Sequence, residues 1–154
     1  MPRSFRVFHL LQVAHSALFR AADKRSRRMA GLTTTQIAIL LILRKSDGLP
    51  ISALAAQLAM GKSSLTGLID RLADKRLVER RPCPRDARVT LIRLTEAGRA
   101  AAATALPDTR RHNAALLEPF SDDERAVIRR FLQHLTDNAE TIINGPDDED
   151  SAHD

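Results

Sequence analysis

The chain has 154 residues, 44% of them hydrophobic, enough for one domain with a sizeable core and too apolar for a disordered chain. No apolar run reaches the roughly 18 to 20 residues that cross a bilayer, Arg3 and Arg6 interrupt what would be the apolar stretch of a secretory signal, and a lone cysteine, Cys83, excludes an intramolecular disulfide framework; a cytoplasmic protein with no membrane partner is expected. The net charge of +5 understates the basicity of the body, because five of the 19 acids lie in 147–154, a polar run expected to be a disordered acidic tail, and a body this basic suits a polyanion.

Residues 5–28 place Phe8, Leu11, His15, Leu18 and Ala22 on one helical stripe. A basic run, Arg20, Lys24, Arg25, Arg27 and Arg28, closes this first helix and suits its C-terminus, and Gly31 is the expected break. Thr33 and Gln36 form a capping-box pattern that starts a second helix. Its run Ile37-Ala38-Ile39-Leu40-Leu41-Ile42-Leu43-Arg44 is apolar on nearly every face, so it is expected to be buried and to end near Ser46, before Asp47-Gly48. Residues 51–59 form a short third helix with Leu54, Ala55 and Leu58 inward, and Met60-Gly61 is the turn. The fourth helix, 62–75, turns Leu65, Leu68, Ile69 and Leu72 to the core and Ser63, Ser64, Thr66, Gly67, Asp70 and Arg71 outward.

Residues 77–81 and 89–94 alternate apolar and polar positions around a Pro/Asp loop, the pattern of a hairpin. Thr95 caps a fifth, alanine-rich helix that Pro107 is expected to kink or interrupt. Ser121 and Glu124 open a last helix with Val127, Ile128, Phe131, Leu132, Leu135 and Ile142 on one stripe. Three long amphipathic helices are more than a chain this size can cover alone, which points to a homodimer.

Two short helices across a tight turn, followed by a basic hairpin, make the order of a winged helix-turn-helix that grips duplex DNA. The fold class expected is mainly α, with a two-stranded β wing and a helical dimerisation region. Three stretches carry a resemblance to a known family. They are Leu54-Ala55 with Leu58 and Met60; Ser64-Leu65-Thr66 through Leu72, then Leu77-Val78-Glu79-Arg80; and Asp86-Ala87-Arg88 followed by Leu94-Thr95-Glu96-Ala97-Gly98-Arg99. In order and spacing they resemble the MarR family of transcriptional regulators over residues 5–143. The resemblance implies one domain over 1–146, with dimerisation helices in 5–31 and 96–143 and a winged unit in 33–95. It also implies a small-molecule effector pocket where the dimer helices meet the DNA-binding lobe, and Phe8, Leu11, His15, Ile37 and Leu41 are its expected lining. The chain departs from the family pattern at Gly61 (usually a Ser, Asp or Asn cap), Arg76 (usually Gly), Ala87 (commonly a second wing arginine) and Cys83 (commonly Asp).

Arg88 is the leading candidate for DNA contact, because a wing-tip guanidinium suits the negative minor groove of A/T tracts. Asp86 is placed to hold it by a charge-assisted bond. Ser63, Ser64, Thr66 and Gly67 suit major-groove edges, while Lys62, Arg71, Arg80, Arg81 and Arg85 suit phosphates. Cys83, near three arginines in sequence, raises the alternative of a thiol-switched regulator. A second alternative is a winged protein-interaction module without sequence-specific DNA binding. The histidines His9, His15, His112, His134 and His153 lack the spacing of a metal site, no cofactor is implied, and no nucleophile elbow or phosphate-cradling glycine loop supports an enzyme. The partners expected are double-stranded DNA, a second copy of the chain and an unidentified small-molecule effector.

Overall fold

The computed structural model describes residues 6–145; the acidic run 147–154, expected to be disordered, lies outside the described residues. The chain divides into two compact units at the Pro107-Asp108 step.

The first unit begins with α1 (Val7–Ala30), closed by Gly31 at φ 64°, whose N–H donates to the Arg27 carbonyl at 2.9 Å. Glycine takes this left-handed conformation without steric cost. Thr33 caps α2 (Thr34–Lys45) with the reciprocal pair expected from sequence. Gln36 N–H donates to Thr33 Oγ1 at 3.2 Å, and Thr33 N–H donates to Gln36 Oε1 at 2.9 Å. Thr34 N–H donates to Asp23 Oδ1 at 2.7 Å and so ties the two helices together. Hydrogen bonding from Thr34, ahead of the Arg27 charge, holds the Asp23 carboxyl below its ordinary pKa.

The core lies within the winged unit. Ile39, Leu40 and Leu43 of α2, Leu54 of α3 (Ile51–Leu58), Leu65, Ile69 and Leu72 of α4 (Lys62–Asp74) and Ile92 of β3 (Thr90–Leu94) are fully buried. Each such side chain contributes about 1.5–3 kcal/mol relative to exposure. The α4 residues fall at the i, i+4, i+7 spacing that marks one helix face. Leu68 and Leu58 are half-buried at the edge of the same cluster.

The wing differs from expectation by one strand. β1 (Leu49–Pro50) joins β2 (Val78–Pro82) and β3 in a three-stranded antiparallel sheet of order β1-β3-β2. Two residues, one of them proline, carry no alternation for a sequence reading to find. The hairpin register runs from Val78 opposite Leu94 to Pro82 opposite Thr90. This puts Val78, Ile92 and Leu94 on the core and Arg81 and Arg93 in solvent. The turn expected at Met60-Gly61 also starts earlier. Ala59 takes the left-handed backbone at φ 48°, and Met60 N–H closes the end of α3 on the Ala55 carbonyl at 3.0 Å.

The end of α4 is a Schellman motif around Arg76, at φ 60°. Arg76 N–H donates to the Ala73 carbonyl at 2.8 Å and Leu77 N–H to the Leu72 carbonyl at 3.0 Å. α5 (Glu96–Leu117) is docked on this same turn. Thr95 N–H donates to the Leu77 carbonyl at 3.1 Å, and Thr95 Oγ1 donates to the Arg76 carbonyl at 2.7 Å while accepting Gly98 N–H at 3.0 Å. Gly98 is buried, and a Cβ placed there would stand 1.9 Å from the Leu77 carbonyl oxygen.

Of the kink or interruption expected at Pro107, the interruption does not occur; α5 runs through it to Leu117. One missing N–H does not end a helix whose first half is mostly alanine, the best helix former.

The second unit holds the end of α5 and α6 (Asp122–Asn144), opened by the expected Ser121–Glu124 box. Arg125 Nε donates to the Leu117 carbonyl at 3.0 Å across the turn. Asn138 leaves the helical region at φ −126°, and its Nδ2 donates to the His134 carbonyl at 3.0 Å. The α6 stripe lies bare within its unit, with Val127, Phe131, Leu132 and Ile142 exposed; on α1, Phe8, Leu10, Val13, Leu18 and Phe19 are exposed as well.

Two substitutions test the docking turn by urea unfolding. Gly98→Ala forces a methyl against backbone and is expected to lower stability by about 3 kcal/mol, and a loss near zero would contradict the close approach. Arg76→Gly relieves a side chain held at positive φ and is expected to raise stability by about 1 kcal/mol; a loss would show that the left-handed turn is not strained.

Candidate nucleic-acid interface

α4 presents its first turn to solvent. Lys62, Ser63 and Ser64 are exposed, and Thr66 and Gly67 are half-buried. Gly61, the N-cap residue, supplies no side-chain cap, so the first N–H groups of α4 get no help from that position. Thr66 Oγ1 donates to the Lys62 carbonyl at 2.8 Å and is turned back on its own helix. Next to Gly67, the Arg71 Nη2 stands 4.0 Å from where a Cβ would be. The face is thus small, polar and bare at its N-terminal end, with the Arg71 guanidinium beside it.

The wing loop is folded on itself. Cys83 N–H donates to the Val89 carbonyl at 2.8 Å and Val89 N–H to the Asp86 carbonyl at 2.9 Å. Asp86 then grips Arg88 three times. Its Oδ1 accepts from Arg88 N–H and Nε, and its Oδ2 accepts from Nη2, each at 3.0 Å. The Arg88 side chain remains 90% exposed, so the clamp fixes its direction without covering it. The Arg88 bonds hold the Asp86 carboxyl below its ordinary pKa and raise that of the guanidinium.

The other expected phosphate ligands divide into two groups. Arg80 reaches from β2 to α4 and bonds Asp70 Oδ1 at 2.6 Å, which ties the wing to the candidate recognition helix. Arg81 forms a two-pronged pair with Glu79, both bonds 3.0 Å. Lys62, Arg71 and Arg85 are exposed, and no side-chain ion pair joins them to another of the described residues. Cys83 is half-buried at the base of the loop.

The residues expected to line an effector pocket are less concentrated. α1 and α2 pack against each other. Ile37 and Leu41 pack against the core, Leu11 is half-buried, Phe8 is 74% exposed, and His15 is exposed and stacked on Phe19 at 4.3 Å. Among the described residues no group of three His, Cys, Asp or Glu side chains is placed to hold a metal ion, and no helix is long and apolar enough to cross a membrane.

Comparison with known proteins matches residues 32–90 to the MarR family model. A probable transcriptional regulator from Pseudomonas aeruginosa, known from its crystal structure, is 30% identical, with 85% of this chain and 97% of that chain covered and a TM-score of 0.73. The chain belongs to the MarR family. Among other relatives, the transcriptional repressor NicR of Pseudomonas putida is 29% identical over 140 residues, 88% of this chain and 85% of NicR. Bordetella bronchiseptica BpsR, whose structure was solved to explain regulation of its DNA binding by 6-hydroxynicotinic acid, is 25% identical, with 89% and 97% covered and a TM-score of 0.77. MarR proteins are transcriptional regulators, and the winged helix-turn-helix read from residues 33–95 is this family's fold.

Two departures from the MarR pattern have visible consequences here. Arg76 occupies the left-handed position that glycine usually fills, and Gly61 leaves α4 without a side-chain cap. Sequence reasoning missed two residues that organise the interface. Asp70 is the partner of Arg80, and Asp47, read only as a turn residue, receives bonds from its neighbour Gly48 and from two distant elements, β3 and α5. The Asp47-Gly48 pair announces a turn, but nothing local announces partners some fifty positions away.

The depressed pKa of Asp86 sets a pH dependence. A carboxyl held below its ordinary value keeps its clamp at all higher pH and loses it as pH falls through the lowered pKa. The Asp86–Arg88 pair is therefore constant across neutral and mildly acidic pH. In a carboxyl-carbon NMR titration, Arg88→Ala is expected to move the Asp86 midpoint upward; an unmoved midpoint would show that the clamp is absent in solution.

Proposed function

We propose that this MarR chain is a ligand-responsive repressor that binds a pseudo-palindromic operator as a homodimer. The observation that carries the reading is the wing-tip clamp, an arginine 90% exposed yet fixed in direction by Asp86. Such a group is organised for an acceptor that arrives from outside, and the minor groove offers acceptors in a region of negative potential. In this reading Arg88 enters the minor groove and Ser63, Ser64, Thr66 and Gly67 face base edges in the major groove. Lys62, Arg71, Arg80, Arg81 and Arg85 serve the backbone, the last step for Arg80 and Arg81 being exchange from their carboxylate partners.

A homodimer accounts for the bare apolar stripes. Exposed Phe8, Val13, Leu18, Val127, Leu132 and Ile142 are what dimerisation helices in 5–31 and 96–143 would cover. Two copies place two winged units, 33–95 of each chain, at half-sites about one helical turn apart. Residues 1–146 then act as one functional domain. Repression follows from occupancy of a promoter, and NicR is named for that sign of control. BpsR supplies the precedent for control of DNA binding by a small organic molecule. Here the effector site is assigned to Phe8, Leu11, His15, Ile37 and Leu41, where α1 meets α2. A ligand there relieves repression only by binding the released arrangement more tightly, by about 5 kcal/mol for a near-complete switch.

The test is selection of genomic fragments by the purified protein at near-physiological salt, followed by sequencing. Enrichment of a short inverted repeat is expected, and Arg88→Ala is expected to weaken binding to that repeat by at least about tenfold. Uniform recovery that disappears with added salt would overturn sequence-specific regulation.

A further inference from the structure

Asp47 lies just past the end of α2 and collects more partners than any turn needs. Its Oδ1 accepts Gly48 N–H at 3.1 Å and Leu94 N–H, at the end of β3, at 2.9 Å. Its Oδ2 accepts from Arg99 Nη2 of α5 at 2.9 Å, with Arg93 Nε of β3 at 3.8 Å. The Asp47 side chain is only 25% exposed, so these charges interact with less screening than a surface pair. Arg93 stands opposite Glu79 in the hairpin register, which continues the charged network onto β2.

This contact is the second of two that fix the start of α5. At the first, Thr95 bonds the Arg76 and Leu77 carbonyls at the junction of α4 and β2. At the second, one turn later, Arg99 bonds Asp47 at the turn between α2 and β1. α5 is therefore attached to both sides of the winged unit, and a small rotation of its first turn shifts one attachment relative to the other.

We propose that Asp47 is a positioning residue for DNA recognition, which through Arg99 fixes the start of α5 to the turn between α2 and β1 and so sets the wing and α4 at one separation. The proposal rests on the DNA-binding reading above. It concerns the discrimination of one sequence from another, because misplaced wings still meet phosphate but no longer meet wing and groove sites together.

Two variants remove the ion pair from opposite ends. Asp47→Asn keeps an oxygen for the Gly48 and Leu94 amides and makes the protein more positive. Arg99→Gln leaves every Asp47 backbone bond and makes it less positive. A pure charge effect on DNA affinity moves the two in opposite directions; a positioning effect moves them the same way. Affinity for the selected repeat and for an unrelated duplex is measured at one salt concentration, together with thermal midpoints. Both variants are expected to lose about fivefold in the ratio of specific to non-specific affinity. The double variant is expected to lose no more than either single one, and Arg99→Lys, which retains a cation for Asp47, to recover most of the ratio. An unchanged ratio, opposite shifts or additive losses would overturn the proposal, as would a ratio that merely follows the thermal midpoint. If Asp47→Asn does not fold, Arg99→Gln against Arg99→Lys decides alone. A wild-type protein with no sequence preference would instead overturn the DNA-binding reading itself, and the proposal with it.

Discussion

The winged unit depends on one close approach of backbone to backbone. The Leu77 carbonyl lies against Gly98 and accepts Thr95 N–H. Gly98 is buried there, and only a residue without a Cβ lets α5 come this near. The same few residues end α4 in its Schellman motif, start β2 and start α5. α4, the wing and α5 thus share one joint. Burial of Leu65, Ile69, Leu72, Ile92 and Leu94 stabilises the pieces, but the joint sets the angle at which they leave one another.

On the wing of the candidate interface, three exposed arginines are directed before a partner arrives, while Lys62, Arg71 and Arg85 are not held by a carboxylate of the described residues. Asp86 aims Arg88, Asp70 aims Arg80 and Glu79 aims Arg81. Ordering a long side chain on binding costs roughly 1 to 2 kcal/mol of rotamer freedom, and a carboxylate that holds it in the free protein removes part of that cost. Small hydroxyls and Gly67 on α4 achieve the complementary end, since they have little freedom to lose.

Much of this was legible in the sequence because it is local. Both capping boxes, the Gly31 cap, the burial stripe of α4 and the Asp86–Arg88 pair lie within four residues of their partners, and pattern reasoning reaches that far. Arg76 was marked by its place in the family pattern as standing where glycine is usual, and it takes positive φ. What stayed hidden is non-local or too short for a pattern. β1 has two residues, Asp47 bonds Leu94 and Arg99, and Arg80 crosses from strand to helix. At Pro107 the sequence left a kink or an interruption open, and the helix formers on either side exclude the interruption.

The pre-paired arginines have a consequence for how the protein experiences its ionic surroundings. A cation already neutralised by a carboxylate has little of its charge left to displace the counterions condensed on DNA, and affinity falls with salt according to the number displaced. Arg80, Arg81 and Arg88 are committed in this way, whereas Lys62, Arg71 and Arg85 have no such partner among the described residues. The winged unit therefore has directional donors whose charge is already balanced beside an equal number of unpaired cations among the candidate contacts. On the DNA-binding reading, affinity would fall less steeply with salt than the number of arginines on the wing suggests.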